Sequence, residues 1–226
     1  MKKLMTATML GSLIALSSAQ ANNIAPQSPT PDRVTIFKVS LQCPAAPQIG
    51  CGSASKPILL ELERDPAVER AWLNRAGTLI AVIWKSESTS EARRDVVSRL
   101  RVAGCCAREQ DLSELTGESR DQALKEFQSG QGWYRGAEVG RLSEEEAGII
   151  AARLVRRVEA KTTLARDKTE RLRHTLASAL RKCLTEGPGE QALSARQLAG
   201  GFLDEKQLAI LKQAIESGVR ALRNEK

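Results

Sequence analysis

Val34-Thr35-Ile36-Phe37-Lys38-Val39-Ser40-Leu41 runs without a break into Gln42-Cys43-Pro44-Ala45-Ala46-Pro47-Gln48-Ile49-Gly50-Cys51-Gly52. The first stretch is β-branched and aromatic and reads as a strand. The second sets two thiols, Cys43 and Cys51, in a loop rich in proline and glycine. Behind it, serines and the early Pro57 signal the start of a helix, and Pro66 stops that helix after Asp65.

Working outward, Ala67 to Leu73 and Thr78 to Trp84 read as two strands joined by the turn Asn74-Arg75-Ala76-Gly77. Ser90 to Val102 reads as a second helix, with Val96, Val97, Leu100 and Ala103 on its apolar side and Gly104 ending it. Cys105-Cys106-Ala107-Arg108-Glu109 is expected as a short last strand. The order is that of an α+β, ferredoxin-like βαββαβ plait over residues 34–110. Val34 and Ile36 alternate with Phe37 and Val39, and Leu79, Ala81 and Ile83 with Ile80, Val82 and Trp84, so both sheet faces are apolar. The second face needs a cover, and the C-terminal half can supply it. Trp72 and Trp84 are expected to stack across their hairpin.

The chain begins with Met1-Lys2-Lys3, an apolar run from Leu4 to Leu16 and the small-residue end Ser18-Ala19-Gln20-Ala21. Residues 1–21 therefore read as a signal peptide and place the mature protein in a periplasm. The apolar run falls short of the ~20 residues a comfortable membrane span needs. Removing it takes Lys2 and Lys3 away and lowers the formal net charge of +7 by two. Residues 22–33 are polar and proline-rich, a flexible leader. Arginines are spread over helices that also carry glutamates, a solvated mixed-charge surface rather than the basic, aromatic-studded patch of a nucleic-acid binder.

Residues 111–226 form the helical region, a small bundle or helices covering the sheet. Asp111 to Phe127 is a weak helix, and Ser129 to Gly140 a glycine-rich link holding Trp133 and Tyr134. Leu142-Ser143-Glu144-Glu145-Glu146 reads as a helix start, with Ser143 as cap, Glu146 closing a capping box and acids at the positive end of the dipole. Leu172, Leu176, Leu180 and Cys183 mark one further helix, on which Cys183 reads as a buried, inert thiol. Leu208, Leu211, Ile215, Val219 and Leu222 mark another, from Asp204 to Arg223. None buries its stripe alone.

All three methionines fall in residues 1–21, and His174 is the single imidazole. A transition-metal site in the mature chain must therefore be built from cysteine, which selects thiophilic ions such as Hg(II), Cu(I), Cd(II) or Zn(II). A helix N-terminus near Cys51 favours negative charge there, and Gly50 and Gly52 allow the loop to bend. No Ser/His/Asp set can be assembled around one histidine and no phosphate loop is present, so no catalysis is expected.

From Val34 to Glu109 the chain resembles the heavy-metal-associated domains of metallochaperones, periplasmic mercury-binding proteins and metal-pump N-termini. Strand, cysteine loop and helix carry the resemblance, with Asp65-Pro66-Ala67-Val68, Ala76-Gly77-Thr78-Leu79-Ile80-Ala81-Val82 and Val102-Ala103-Gly104. It implies that Cys43 and Cys51 take the places of the family's two metal-binding cysteines, although seven residues separate them where the family has two. It also puts Cys105 where the family usually has an aromatic residue, so that Cys105 and Cys106 approach the first loop. The expectation is an exported, periplasmic protein that binds or senses a soft metal ion through Cys43, Cys51, Cys105 and Cys106, with a membrane or periplasmic protein as a possible partner. Three alternatives stay open. Cysteines of exported proteins commonly pair, so the same residues suit disulfides; the chain is then a stapled adaptor with protein-binding helices. Thiol-disulfide chemistry is the third, without the usual two-residue spacing.

Overall fold

The structure is a computed structural model that describes residues 30–102, 113–186 and 194–220. It is α+β. Strand β1 (Val34–Lys38) leads into a small hairpin, β2 (Gln42–Cys43) and β3 (Ala46–Gly50). Then follow α1 (Gly52–Arg64), β4 (Val68–Asn74), β5 (Leu79–Trp84), α2 (Ser90–Val102) and β6 (Ser113–Glu114). The remainder is α3 (Gly117–Gln128), β7 (Trp133–Tyr134), α4 (Gly140–Glu159), α5 (Arg166–Glu186), α6 (Ala195–Ala199) and α7 (Glu205–Glu216). No helix among the described residues is long and apolar enough to cross a membrane.

Five strands form one antiparallel sheet in the order β6-β1-β5-β4-β7. Period-two alternation divides its side chains between two cores. Phe37, Ala71, Leu73, Ile80, Val82 and Trp84 pack with Leu59 and Leu62 of α1, Val96 and Leu100 of α2 and Leu142 of α4. Val34, Ile36, Trp72, Ala81 and Ile83 pack under Ala123, Leu124 and Phe127 of α3, so the second face is covered from within the chain. The two tryptophans do not stack, because the register sets Trp72 against Ala81 and Trp84 against Val68, with a bulge between Val68 and Arg70. They lie in opposite cores. Trp72 meets Phe127 edge to face at 5.3 Å, and the Trp84 indole donates to Thr35 Oγ1 at 2.8 Å.

Beneath the sheet layer lies a third core. Ala147, Ile150, Ala151, Leu154, Val155 and Val158 of α4 pack with Leu172 and Leu176 of α5 and Leu208 and Leu211 of α7. The cysteine hairpin belongs to this core, through Cys43, Ala45, Ala46 and Ile49. Sequence order ties the hairpin to the sheet, yet its side chains are buried among the C-terminal helices.

Three sequence expectations are corrected here. The stretch after Leu41 is a bulged β-hairpin and not an irregular loop. Its glycines serve close packing rather than bending: a Cβ on Gly50 would stand 3.0 Å from Gly77 Cα, and one on Gly52 2.4 Å from both Ser143 Oγ and Val139 O. The helix expected to start at Leu142–Ser143 starts a turn earlier, at Gly140, with Val139 as N-cap and no side-chain cap. The turn at Arg135 passes directly into it, Val139 N donating to Arg135 O at 3.0 Å. Ser143 and Glu146 are thus buried helix residues, and the capping box does not form.

The last helix is also shorter than its apolar stripe suggested. It is capped by a true box of Asp204 and Gln207, but it ends at Glu216, and Gly218 turns the chain with φ +86°. Val219 consequently leaves the stripe and is the exposed large hydrophobic among the described residues, at 36%. Cys183 is half-buried rather than buried, since the α5 stripe emerges from the core beyond Leu180.

The β4–β5 turn holds the hairpin in place. Gly77, at φ +70°, accepts from Leu41 N at 2.9 Å, while Gly50 N donates to Arg75 O at 2.7 Å. A Cβ on Gly77 would stand 2.5 Å from Gly50 Cα and 2.7 Å from Leu41 O. Gly77→Ala combines a left-handed backbone penalty with overpacking and is expected to cost roughly 3 kcal/mol, read from chemical denaturation. Gly130→Ala, at φ +72° with open space around it, is expected to cost about 1 kcal/mol.

Candidate functional site

Cys43 ends β2, where the chain folds back on itself, and the turn it enters points backbone amides at its own sulfur. Ala45 N and Ala46 N both donate to Cys43 Sγ at 3.2 Å. From the other side the thiol donates to Glu146 Oε1 at 2.9 Å. Cys43 is 1% exposed and Glu146 4%. The second carboxylate oxygen, Glu146 Oε2, is buried with no hydrogen-bond partner.

Burial pushes the Cys43 thiol up to about 12; the hydrogen bond to Glu146 and its negative charge add to this, and the amides of Ala45 and Ala46 pull the other way. Burial likewise raises Glu146 above the ordinary carboxylate range, opposed by the hydrogen bond from Cys43. Both directions have one cause: anions are costly in an apolar core. The pair therefore keeps a proton on sulfur and presents an acceptor oxygen with spare capacity.

Cys51 stands at the other end of the hairpin as N-cap of α1. Its amide donates to Leu41 O at 2.7 Å, which sets it opposite Leu41, two residues before Cys43. It is half-buried against the same core as Cys43, and its sulfur lies 3.2 Å from Ser53 Oγ. Cys43, Cys51 and Cys183 are all free, so no disulfide staples the described residues.

Cys105 and Cys106, the other thiols expected at the site, lie outside the described residues. The described end of α2 meets α1 at its C-terminal turn, where Arg99 pairs with Asp65. Among the described residues no group of three or more His, Cys, Asp or Glu side chains is placed to hold a metal ion. His174 is exposed and lines an open groove with Glu144, Ser178, Arg181, Lys182 and Gln197.

Glu146 is the residue that sequence reasoning misassigned. It stands on the apolar face of α4, one residue before Ala147 and four before Ile150. A carboxylate on a buried helix face is a signal the sequence does carry, but the capping pattern masked it. Arg153 and Arg157, at 7% and 9% exposure, share that face and were also missed, because arginines spread along the helices read as a solvated surface. No protein-family model matches this chain, and no curated protein or solved structure matches it significantly.

Two outcomes test this geometry. A carboxylate raised in the folded state gives stability that is present below its unfolded range and declines as pH rises through the folded value. The unfolding midpoint is therefore expected to fall as pH rises from about 4.5 toward neutrality, and Glu146→Gln to flatten that fall. Alkylation mapped by mass spectrometry is expected to label Cys51 at least about tenfold faster than Cys43, whose reaction waits on local opening.

Proposed function

We propose that this is an exported, periplasmic protein that binds a soft metal ion through cysteine thiolates, with Cys43 and the Glu146 carboxylate beside it as one pair of donors and Cys51 brought to the ion when the hairpin opens. Cys105 and Cys106 complete or exchange the site. The observation that carries this reading is the unpartnered Glu146 Oε2 on the carboxylate that already accepts from Cys43 Sγ. A buried acceptor normally finds a partner, and a cation satisfies that oxygen while replacing the thiol proton. The cation's charge also reverses the electrostatics that hold Cys43 protonated. Uptake therefore releases protons and grows stronger as pH rises.

The thiol and carboxylate mixture suits Zn(II) or Cd(II), and a two-thiolate arrangement suits Hg(II) or Cu(I). The strand order β6-β1-β5-β4, with α1 and α2 packed on one face, supports reading a ferredoxin-like plait whose last strand falls at Ser113–Glu114, beyond the expected bound of residue 110, and which β7 extends. The proposed role is binding, as a carrier or sensor, rather than catalysis.

One observation favours the adaptor reading in its unstapled form. Three hydrogen bonds fix the Cys43 sulfur inside the helical core, which is what a purely structural anchor does. Titrating Hg(II), Cd(II) or Zn(II) into anaerobically reduced protein separates the two. Binding is expected with proton release, abolished by Cys43→Ser and weakened about 10- to 100-fold by Glu146→Gln. Failure of the reduced protein to take up any of these ions leaves the adaptor.

A further inference from the structure

Glu146, Arg153 and Arg157 stand on one face of α4, two turns and then one turn apart. Arg153 Nη1 donates to Ala45 O and to Val219 O, both at 2.6 Å. The Ala45 carbonyl belongs to the same peptide group as the Ala46 amide that donates to Cys43 Sγ. One guanidinium thus orients an amide aimed at the thiol and, with the same nitrogen, grips the chain beyond α7. Arg157 grips that segment too, donating to Ser217 Oγ at 2.9 Å, to Arg220 O at 2.6 Å and to Gly218 O.

Ser217 and Gly218 close the last turn of α7, their amides donating to Gln213 O and Ile215 O and Ser217 Oγ to Ala214 O. Beyond that turn the Val219 side chain is exposed, and the segment meets α4 through carbonyl and hydroxyl groups taken by these two arginines. Segments with few buried apolar contacts open at low free energy. When Val219 O leaves, Arg153 loses one of two acceptors in a buried setting, and a charged group so deprived turns toward water and releases Ala45 O.

We infer that Arg153 is a positioning residue for Cys43, and that the C-terminal segment Ser217–Arg220 gates access to that thiol through the shared Arg153 contact. The gate concerns access to sulfur and holds whether or not an ion is its occupant. Its test therefore reads alkylation of Cys43 and not metal uptake, so the two ideas fail separately.

In the unmodified full chain, peptide-resolved hydrogen exchange is expected to show residues 42–50 and 217–220 opening together, before the middle of α4. A hairpin that stays protected after 217–220 has exchanged overturns the gate. Alkylation of Cys43 is expected to accelerate about 10- to 100-fold in Arg153→Met and in a chain ending at Glu216, the range that loss of a charged hydrogen bond gives. Arg153→Lys, which keeps a donor, is expected to stay closer to the parent rate. Unchanged Cys43 labelling in either variant overturns the inference, as does equal acceleration of Cys43 and Cys183 with a lowered unfolding midpoint, which marks a merely structural arginine. Where a variant does not fold, the exchange pattern of the unmodified chain decides.

Discussion

The hydrogen bond from the Cys43 thiol to Glu146 joins two parts of the chain that lie 103 residues apart. A carboxylate on the apolar face of α4 is affordable only beside a donor, and the hairpin after β1 delivers one. Removing a single partner would leave the other buried and unsatisfied, a loss of about 1–3 kcal/mol and more if charged. The hairpin and the helix are therefore constrained together. Neither explains its own polar side chain without the other.

From this constraint the architecture follows. α4 begins against the sheet, where Val139 and Leu142 meet Leu41, Leu59 and Leu62, and continues into the helical core with Ile150, Leu154 and Val158. A 20-residue helix spans about 30 Å, long enough to belong to both layers. Gly52 lets the start of α1 press against the first turn of α4, and Gly77 lets the β4–β5 turn press against the hairpin. The cysteine hairpin is wedged between these contacts, which explains a thiol so dry in a segment only nine residues long from Gln42 to Gly50.

That dryness shapes the chemistry. Two amides and a carboxyl group around one sulfur make a polar pocket inside an apolar core, and low dielectric raises the stakes of every unmet group in it. The site is closed, its thiol held protonated by burial, and it is tied by Arg153 to the segment that follows α7. Under the proposed reading, an ion entering it would exchange against a proton and against local opening, which suits slow, retentive binding better than rapid shuttling.

Much of the sheet was legible because strands bury alternate residues and turns carry their own chemistry. Val34 to Lys38, Leu79 to Trp84 and the Gly77 turn need only period two and one glycine to be read. The long helices were legible from their apolar stripes, as with Leu172, Leu176 and Leu180. Cys43 and Cys51 were legible as chemistry, since residue type alone marks a thiol. The partner of Cys43 was not. Ser143 and Glu146 satisfy a local capping pattern, and only packing of the hairpin onto α4 made the longer-range bond the better use of that carboxylate. The early end of α7 was equally hidden, because its stripe continues through Val219 while Gly218 and two buried arginines turn the chain aside. Sequence by itself determined which residues could be strand, helix or ligand, since those properties are local. Tertiary structure alone decided which buried polar groups meet, because that depends on contacts between residues far apart in the chain.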